Sequence, residues 1–323
     1  MKYDFIIVDV YNVFYRWNFI EKQEYIVEID GKKVHVEGII QYLKFLETLS
    51  KYTNDNTKVY LCFDNAETLF ERHDISDKYK SSRKERQPKN WFYRELDYCE
   101  LISKYYKDNF FVVRKEKYEA DDYVKNILRC FTDKSNSVLL ISEDEDWCRW
   151  LSDNIHQYMK HDIWDRNTFI ENKGYEPTES NIGFAKSFYG DDSDDIIGAL
   201  PQLPKMYFDE IISTYNNMND FIFDAKNGKI NYLDLGWKTK IELVENDLMV
   251  NYNLIKSAEI SDTELYSCVT KCKFQPTKLK LIYAMLNILG RVDDRIKNEK
   301  SSSILDMLNG EDLQRENFGG QNW

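Results

Sequence analysis

Carboxylates recur in this chain at the ends of apolar runs, in an arrangement suited to phosphate chemistry. Asp9 closes Phe5-Ile6-Ile7-Val8, and Asp64 follows Val59-Tyr60-Leu61-Cys62-Phe63. Glu119, Asp121 and Asp122 open a helical pattern after Phe110-Phe111-Val112-Val113, while Asp144 and Asp146 follow Val138-Leu139-Leu140-Ile141-Ser142. A further group, Gly190-Asp191-Asp192-Ser193-Asp194-Asp195, lies downstream. If the apolar runs are parallel strands, their carboxyl ends face one crevice and these acids converge there. Carboxylates packed together stay ionised only when cations sit between them. An oxygen-only donor set without Cys or His favours Mg²⁺ or Mn²⁺. The chemistry indicated is two-metal attack on a phosphodiester.

The elements that must position these acids are legible from periodicity. Strand-like runs near 3–9, 57–63, 109–113 and 137–142 alternate with helical patterns, the layout of a mostly parallel sheet with helices on both faces. Alternation on either side of Asp30-Gly31 predicts a β-hairpin, and residues 38–53 read as a helix. Val124, Ile127, Leu128 and Phe131 share a helical stripe, so one helix can bury that stripe on the sheet and turn Glu119 and Asp122 toward the crevice. Residues 154–170 suggest two short strands around Asp165-Arg166-Asn167, and from 178 to about 298 the pattern is mainly helical. The domains expected are an α/β core over 1–178 with a basic region at 65–108, a helical unit over 179–299 and a polar tail over 300–323.

Composition narrows the class. An apolar fraction of 42% with 15% aromatics suffices for a core. No run approaches the ~20 apolar residues of a membrane span, and the N-terminus lacks a secretory pattern, so a cytoplasmic protein is expected. Six scattered cysteines read as reduced thiols, and neither Cys268-x-x-x-Cys272 nor the four histidines match a zinc spacing. The net charge of −12 looks wrong for a DNA-binding chain, but its distribution is uneven. Residues 72–94 carry Arg72, Lys78, Lys80, Arg83, Lys84, Arg86, Lys89 and Arg94 against three acids, interleaved with Tyr79, Trp91, Phe92 and Tyr93. Such a mixture suits passage of a single strand, and a solvated helical face is the competing explanation.

The acidic groups, in this order, resemble the 5′-nuclease family of flap endonucleases, and most closely its bacteriophage branch of ribonuclease H-type 5′ to 3′ exonucleases. The motifs are Val8-Asp9-Val10-Tyr11-Asn12, Phe63-Asp64 with Tyr79-Lys80-Ser81-Ser82-Arg83, Glu119-Ala120-Asp121-Asp122, Ser142-Glu143-Asp144-Glu145-Asp146, and Gly190 through Gly198. They cover roughly residues 1–200. The resemblance implies a PIN-like α/β nuclease core with a helical arch at 65–108 and a C-terminal DNA-binding domain containing a degenerate helix-hairpin-helix. It implies a first metal region at Asp9, Asp64, Glu119 and Asp121, with Asp122 bridging or behind it, and a second at Asp144, Asp146, Asp191 and Asp194. Lys80 and Arg83 would contact the scissile phosphate, and Arg72, Tyr79, Lys84, Arg86, Lys89 and Lys205 the nucleic acid. The cofactors implied are two Mg²⁺, for which Mn²⁺ can substitute. The substrates implied are 5′ flaps, nicks and RNA-primed 5′ ends, cut by a monomer in DNA replication or repair.

One departure follows Gly198, where Ala199-Leu200-Pro201-Gln202-Leu203-Pro204-Lys205 replaces the family's glycine-rich hairpin and puts its K⁺ site in doubt. Tyr11 either stacks on a terminal base or packs in the core. Ser303-Ile304-Leu305-Asp306-Met307-Leu308 either docks on a partner such as a sliding clamp or single-strand-binding protein, or caps the core. The alternatives to a 5′-nuclease are a PIN-like endoribonuclease and a non-catalytic DNA-junction-binding protein. The basic segment before Glu119 and the acidic group after the sheet argue against the first, and the full set of acids against the second.

Overall fold

The computed structural model describes residues 2–20, 26–29, 31–50, 52–64, 75–76, 79, 90–115, 118–160 and 162–288. The chain begins with β1 (Phe5–Asp9) and α1 (Val10–Ile20), followed by the antiparallel pair β2 (Ile26–Ile29) and β3 (Lys32–His35), α2 (Glu37–Ser50) and β4 (Lys58–Cys62). Next come α3 (Asn90–Tyr106), β5 (Phe110–Val113), α4 (Ala120–Phe131), β6 (Val138–Ile141), a 3₁₀ turn (Glu145–Trp150), β7 (Ile155–Met159) and β8 (Asp162–Trp164). The rest is mainly helical: α5 (Arg166–Lys173), α6 (Glu179–Tyr189), α7 (Lys205–Thr214), α8 (Met218–Lys226), α9 (Leu235–Leu243), α10 (Glu245–Ile255), α11 (Asp262–Cys268) and α12 (Pro276–Met285). Two short strands, β9 (Gly190–Asp191) and β10 (Ile196–Ile197), follow α6, and β11 (Val269–Lys271) follows α11.

Seven strands form one sheet in the order β11-β5-β4-β1-β6-β7-β8. The five central strands are parallel, and β8 and β11 close the edges antiparallel. The chain winds from β1 through β4 to β5 on one side, then returns to place β6 on the other side of β1. The switch point, where such sheets form a crevice, therefore lies at the carboxyl ends of β1 and β6. Strand period 2 sorts the core. Ile6, Val8, Val59 and Leu61 pack with α2 and α3, whereas Phe5, Ile7, Tyr60, Cys62 and Leu140 pack with Tyr123, Val124 and Ile127 of α4. Asp9 is in phase with Phe5 and Ile7, and Asp64 with Tyr60 and Cys62, so both acids fall on the α4 side.

Three local assignments differ from the sequence expectation. The turn after β7 falls at Lys160, before Asp165. Asp165 instead accepts the Thr168 N–H at 2.7 Å and caps α5, which makes Thr168-Phe169-Ile170 helical. The helical run after 178 is interrupted by β11, which pairs with Phe111–Val113. Phe92, expected beside a passing strand, is fully buried against Tyr11, Phe14 and Tyr15.

Two glycines pin the β9–β10 hairpin. Gly190 has φ +94°, and a Cβ on Gly198 would stand 2.4 Å from the Tyr189 carbonyl carbon and 2.6 Å from the Phe188 oxygen. Both obstacles are backbone, so neither can rotate away. Gly198→Ala should cost roughly 2 kcal/mol or more through this clash. Gly228→Ala, at φ +67° with nothing within 4 Å, should cost only about 1 kcal/mol of left-handed strain. Urea unfolding of both variants checks the contrast, and equal losses would contradict the pinned hairpin.

Candidate metal centre

The acids at the strand ends are held by hydrogen bonds from the same loops that bring them together. Asp9 is buried, accepting the Asn12 N–H at 2.9 Å on Oδ1 and the Ser142 hydroxyl at 3.0 Å on Oδ2. Asn12 in turn accepts the Glu143 N–H at 3.1 Å, so the ends of β1 and β6 are tied. Asp64 accepts the Ala120 N–H at 2.6 Å, at the amino end of α4, where partial positive charge favours a carboxylate. Asp121 accepts the indole N–H of buried Trp147. Asp144 caps the 3₁₀ turn by accepting the Asp146 N–H at 2.9 Å.

Asp122 is engaged differently. Its Oδ2 accepts the Glu119 N–H at 3.1 Å and its Oδ1 the Ala258 N–H at 2.8 Å, so both oxygens fasten backbone. Glu119, the N-cap of α4, is buried beside it.

A second cluster completes the crevice. Asp146, Asp191 and Asp194 offer carboxylate oxygens that all lie within 4.8 Å of one another. Asp191 is fixed by the Ser193 N–H at 2.9 Å and the Ser193 hydroxyl at 2.6 Å. Asp194 is buried and accepts the Tyr79 hydroxyl at 3.4 Å. Tyr79, expected at the nucleic-acid surface, is therefore a core side chain, 2% exposed and packed with Ile196, Leu254 and Ile255. Two cations not singled out in the sequence meet this cluster. The Lys186 ammonium bridges Asp146 and Asp191, and the Arg149 guanidinium lies 3.1 Å from Asp146. The available signal for Lys186 was one lysine inside Phe184-Ala185-Lys186-Ser187-Phe188, a helical turn before the acids.

The electrostatics show what the crevice lacks. Burial, then Asp64 and Asp121, hold the Asp9 carboxyl well above its ordinary range despite the opposing Asn12 N–H. Burial, then Asp146 and Asp121, push Asp144 up to about 8, with Lys186 pulling the other way. Burial by itself would lower the Lys186 pKa, but Asp146 and Asp191 outweigh it and hold the ammonium well above the ordinary lysine value. Among the described residues one lysine and one arginine thus leave the acids under-compensated, and an oxygen-only donor set of this density fits hard divalent cations.

The other expected contacts are placed less centrally. Lys205, at the start of α7, is exposed and bonds Asp209 at 2.7 Å. Tyr11 belongs to an aromatic group with Tyr15, Phe92 and Tyr93. Arg72, Lys80, Arg83, Lys84, Arg86 and Lys89, and the tail at 300–323, lie outside the described residues. Among the described residues no helix is long and apolar enough to cross a membrane.

Comparison with known proteins places the chain in a wider group. The profile of the 5′-3′ exonuclease N-terminal resolvase-like domain matches residues 4–174. Ribonuclease H of Enterobacteria phage T4 is 30% identical over 132 residues, covering 39% of this chain and 41% of that protein. The match thus spans about two fifths of that relative's length. A phage T5 protein crystallised with metal ions superimposes with a TM-score of 0.58 at 17% identity, over 94% of this chain and 99% of that one. The T5 flap endonuclease solved with DNA and metal ions gives 0.56 at 19% identity, and the T5 5′-exonuclease with bound zinc 0.57 at 19%, each over 94% of this chain and 99% of the other. These likenesses establish a shared fold.

Linkage gives a test of the charge balance. Asp9 and Asp144 titrate higher in the folded than in the unfolded chain. The folded state therefore binds more protons between about pH 4 and about pH 8, and stability falls as pH rises through that window. In EDTA the melting temperature should drop between pH 5 and pH 8, and millimolar Mg²⁺ should flatten the drop. Lys186→Met should steepen it, since one compensating charge is gone. A melting temperature independent of pH and Mg²⁺ would contradict the crowded-acid description.

Proposed function

The chain belongs to the 5′-3′ exonuclease family, and from that premise we propose that it is a divalent-metal-dependent 5′-nuclease acting on 5′ flaps, nicks and RNA-primed 5′ ends in DNA replication or repair. The observation that carries this reading is the convergence of Asp9, Asp64, Asp121, Asp144, Asp146, Asp191 and Asp194 on the switch point of the sheet. Asp9, Asp64 and Asp121, with Glu119, would hold one Mg²⁺, and Asp144, Asp146, Asp191 and Asp194 the other, with Mn²⁺ able to replace either. When bound, such a pair supplies charge stabilisation to the attacking and leaving oxygens of the phosphodiester.

The protein's own residues do the rest. Ser142 and Asn12 keep Asp9 directed into the crevice, and Trp147 does the same for Asp121. Asp122 anchors the amino end of α4 and would stand bridging the first metal region or behind it. Lys80 and Arg83 offset the charge that develops on the reacting phosphate. Arg72, Lys84, Arg86, Lys89 and Lys205 contact the strand backbone. Tyr79 is left out of that group because its ring is buried. The enzyme works as a cytoplasmic monomer, and a sliding clamp or single-strand-binding protein engages its C-terminal tail.

Asp144→Asn and Asp191→Asn should each lower turnover on 5′-labelled flap, nicked and RNA-primed substrates by orders of magnitude while sparing DNA affinity. Lys80→Ala and Arg83→Ala should depress the single-turnover rate more than binding. Lys84→Ala and Lys89→Ala should weaken binding and reduce its salt slope by roughly 1 each. Cleavage surviving excess EDTA, or undiminished in the asparagine variants, would overturn the metal assignment.

A further inference from the structure

Arg149 is nine-tenths buried and makes contacts in two directions. Toward the site, its Nη2 lies 3.1 Å from Asp146 Oδ2 and its Nε donates to the Asp146 carbonyl at 2.6 Å. Away from it, Nη1 donates to the Ile255 carbonyl at 2.7 Å and approaches the Ser257 hydroxyl at 3.4 Å. Ile255 is the last residue of α10, so the guanidinium fork joins a site carboxylate to the end of a distant helix. A planar five-donor group can do this, and a lysine ammonium on a flexible stem cannot reproduce the geometry.

The same stretch is fastened to the other acid-bearing element. The Ala258 N–H donates to Asp122, the Asn126 amide donates to the Ala258 carbonyl at 3.1 Å, and the Ile260 N–H donates to Asn126 Oδ1 at 3.2 Å. The opposite flank of α10 reaches the hairpin. Asn251 Nδ2 donates to the Ser187 carbonyl at 3.2 Å and the Ile197 carbonyl at 2.9 Å, on either side of the segment bearing Asp191 and Asp194. Asp146 arrives from the sheet, and Asp191 and Asp194 arrive from the end of α6. Besides the direct Lys186 bridge from α6, helix α10 is thus joined to both, through the Arg149 fork at its carboxyl end and the Asn251 amide on its flank.

We infer that Arg149 is a positioning residue: it aims the Asp146 carboxylate at Asp191 and Asp194, and makes divalent-cation binding there depend on the docking of residues 245–258. The inference rests on the metal reading given under Proposed function. Groups that orient a ligand in this way typically change metal affinity by about 10–100-fold when altered. Because coupling is reciprocal, a bound cation must also tighten the docking of residues 245–258.

The test uses the full chain without DNA. Mn²⁺ binding is measured by calorimetry and by the electron paramagnetic resonance signal of free Mn²⁺ for wild type, Arg149→Lys and Arg149→Gln, with melting temperatures alongside. A folded Arg149→Lys should bind the weaker Mn²⁺ roughly tenfold less tightly. Its cleavage should need correspondingly more Mg²⁺, with KM for DNA unchanged and the rate recovering at saturating metal. Hydrogen exchange on the wild type keeps the test independent of variant folding: saturating Mn²⁺ should slow the Ala258 amide severalfold. Equal Mn²⁺ affinity in wild type and a folded variant, or an Ala258 amide unaffected by Mn²⁺, would overturn the positioning role alone. Failure of the wild type to bind Mn²⁺ would overturn the metal reading and this inference with it.

Discussion

Repulsion among buried carboxylates is the constraint from which the rest of this structure follows. At the outer separation of 4.8 Å among Asp146, Asp191 and Asp194, each like-charged pair costs about 3 kcal/mol at an effective dielectric near 20. Desolvation adds several kcal/mol per ion. Set against a total folding stability of roughly 5–15 kcal/mol, that load cannot be left uncompensated. The protein offsets part of it with Lys186 and Arg149, while burial, then Asp146 and Asp121, push the Asp144 carboxyl above its ordinary range. What remains, among the described residues, is a deficit of positive charge in the place where a phosphate and its metal ions would meet.

The scaffold makes this concentration of charge tolerable by making it rigid. Parallel strands deliver Asp9 and Asp64 to one edge of the sheet, in phase with the buried residues that face α4. Backbone N–H groups and hydroxyls at the loop ends then fix at least one oxygen of each, as at Asp9, Asp64, Asp144 and Asp191. The hairpin carrying Asp191 and Asp194 is built separately, on a turn whose backbones approach too closely for any side chain at Gly198. Acids carried on separate elements must therefore be brought into register, and Lys186, together with α10 and Arg149, spans the distance between them.

Much of this was legible from sequence because its signals are local. Apolar runs of four or five residues ending in an acid located β1, β4 and β6, and the Asp-Gly turn located the β2–β3 hairpin. Long-range pairings left no such trace. Lys186 meets Asp146 across 40 positions, and the Arg149 bond to Ile255 spans 106. Val269–Lys271 becomes a strand only because β5 offers it an edge, and Tyr79 and Phe92 are rings whose burial depends on distant partners. At Asp165 the difference has another cause: the residue's turn propensity reads as the centre of a hairpin, whereas its carboxylate caps a helix.

The central claim is that the strand-end acids form two adjoining cation sites at the switch point of the sheet. The most direct measurement is a crystal structure of the full chain grown with Mn²⁺, with anomalous scattering recorded near the manganese edge. Two peaks are predicted, one bounded by Asp9, Asp64 and Asp121 and the other by Asp146, Asp191 and Asp194. A well-ordered crevice without anomalous density, or peaks bound elsewhere on the molecule, would contradict it.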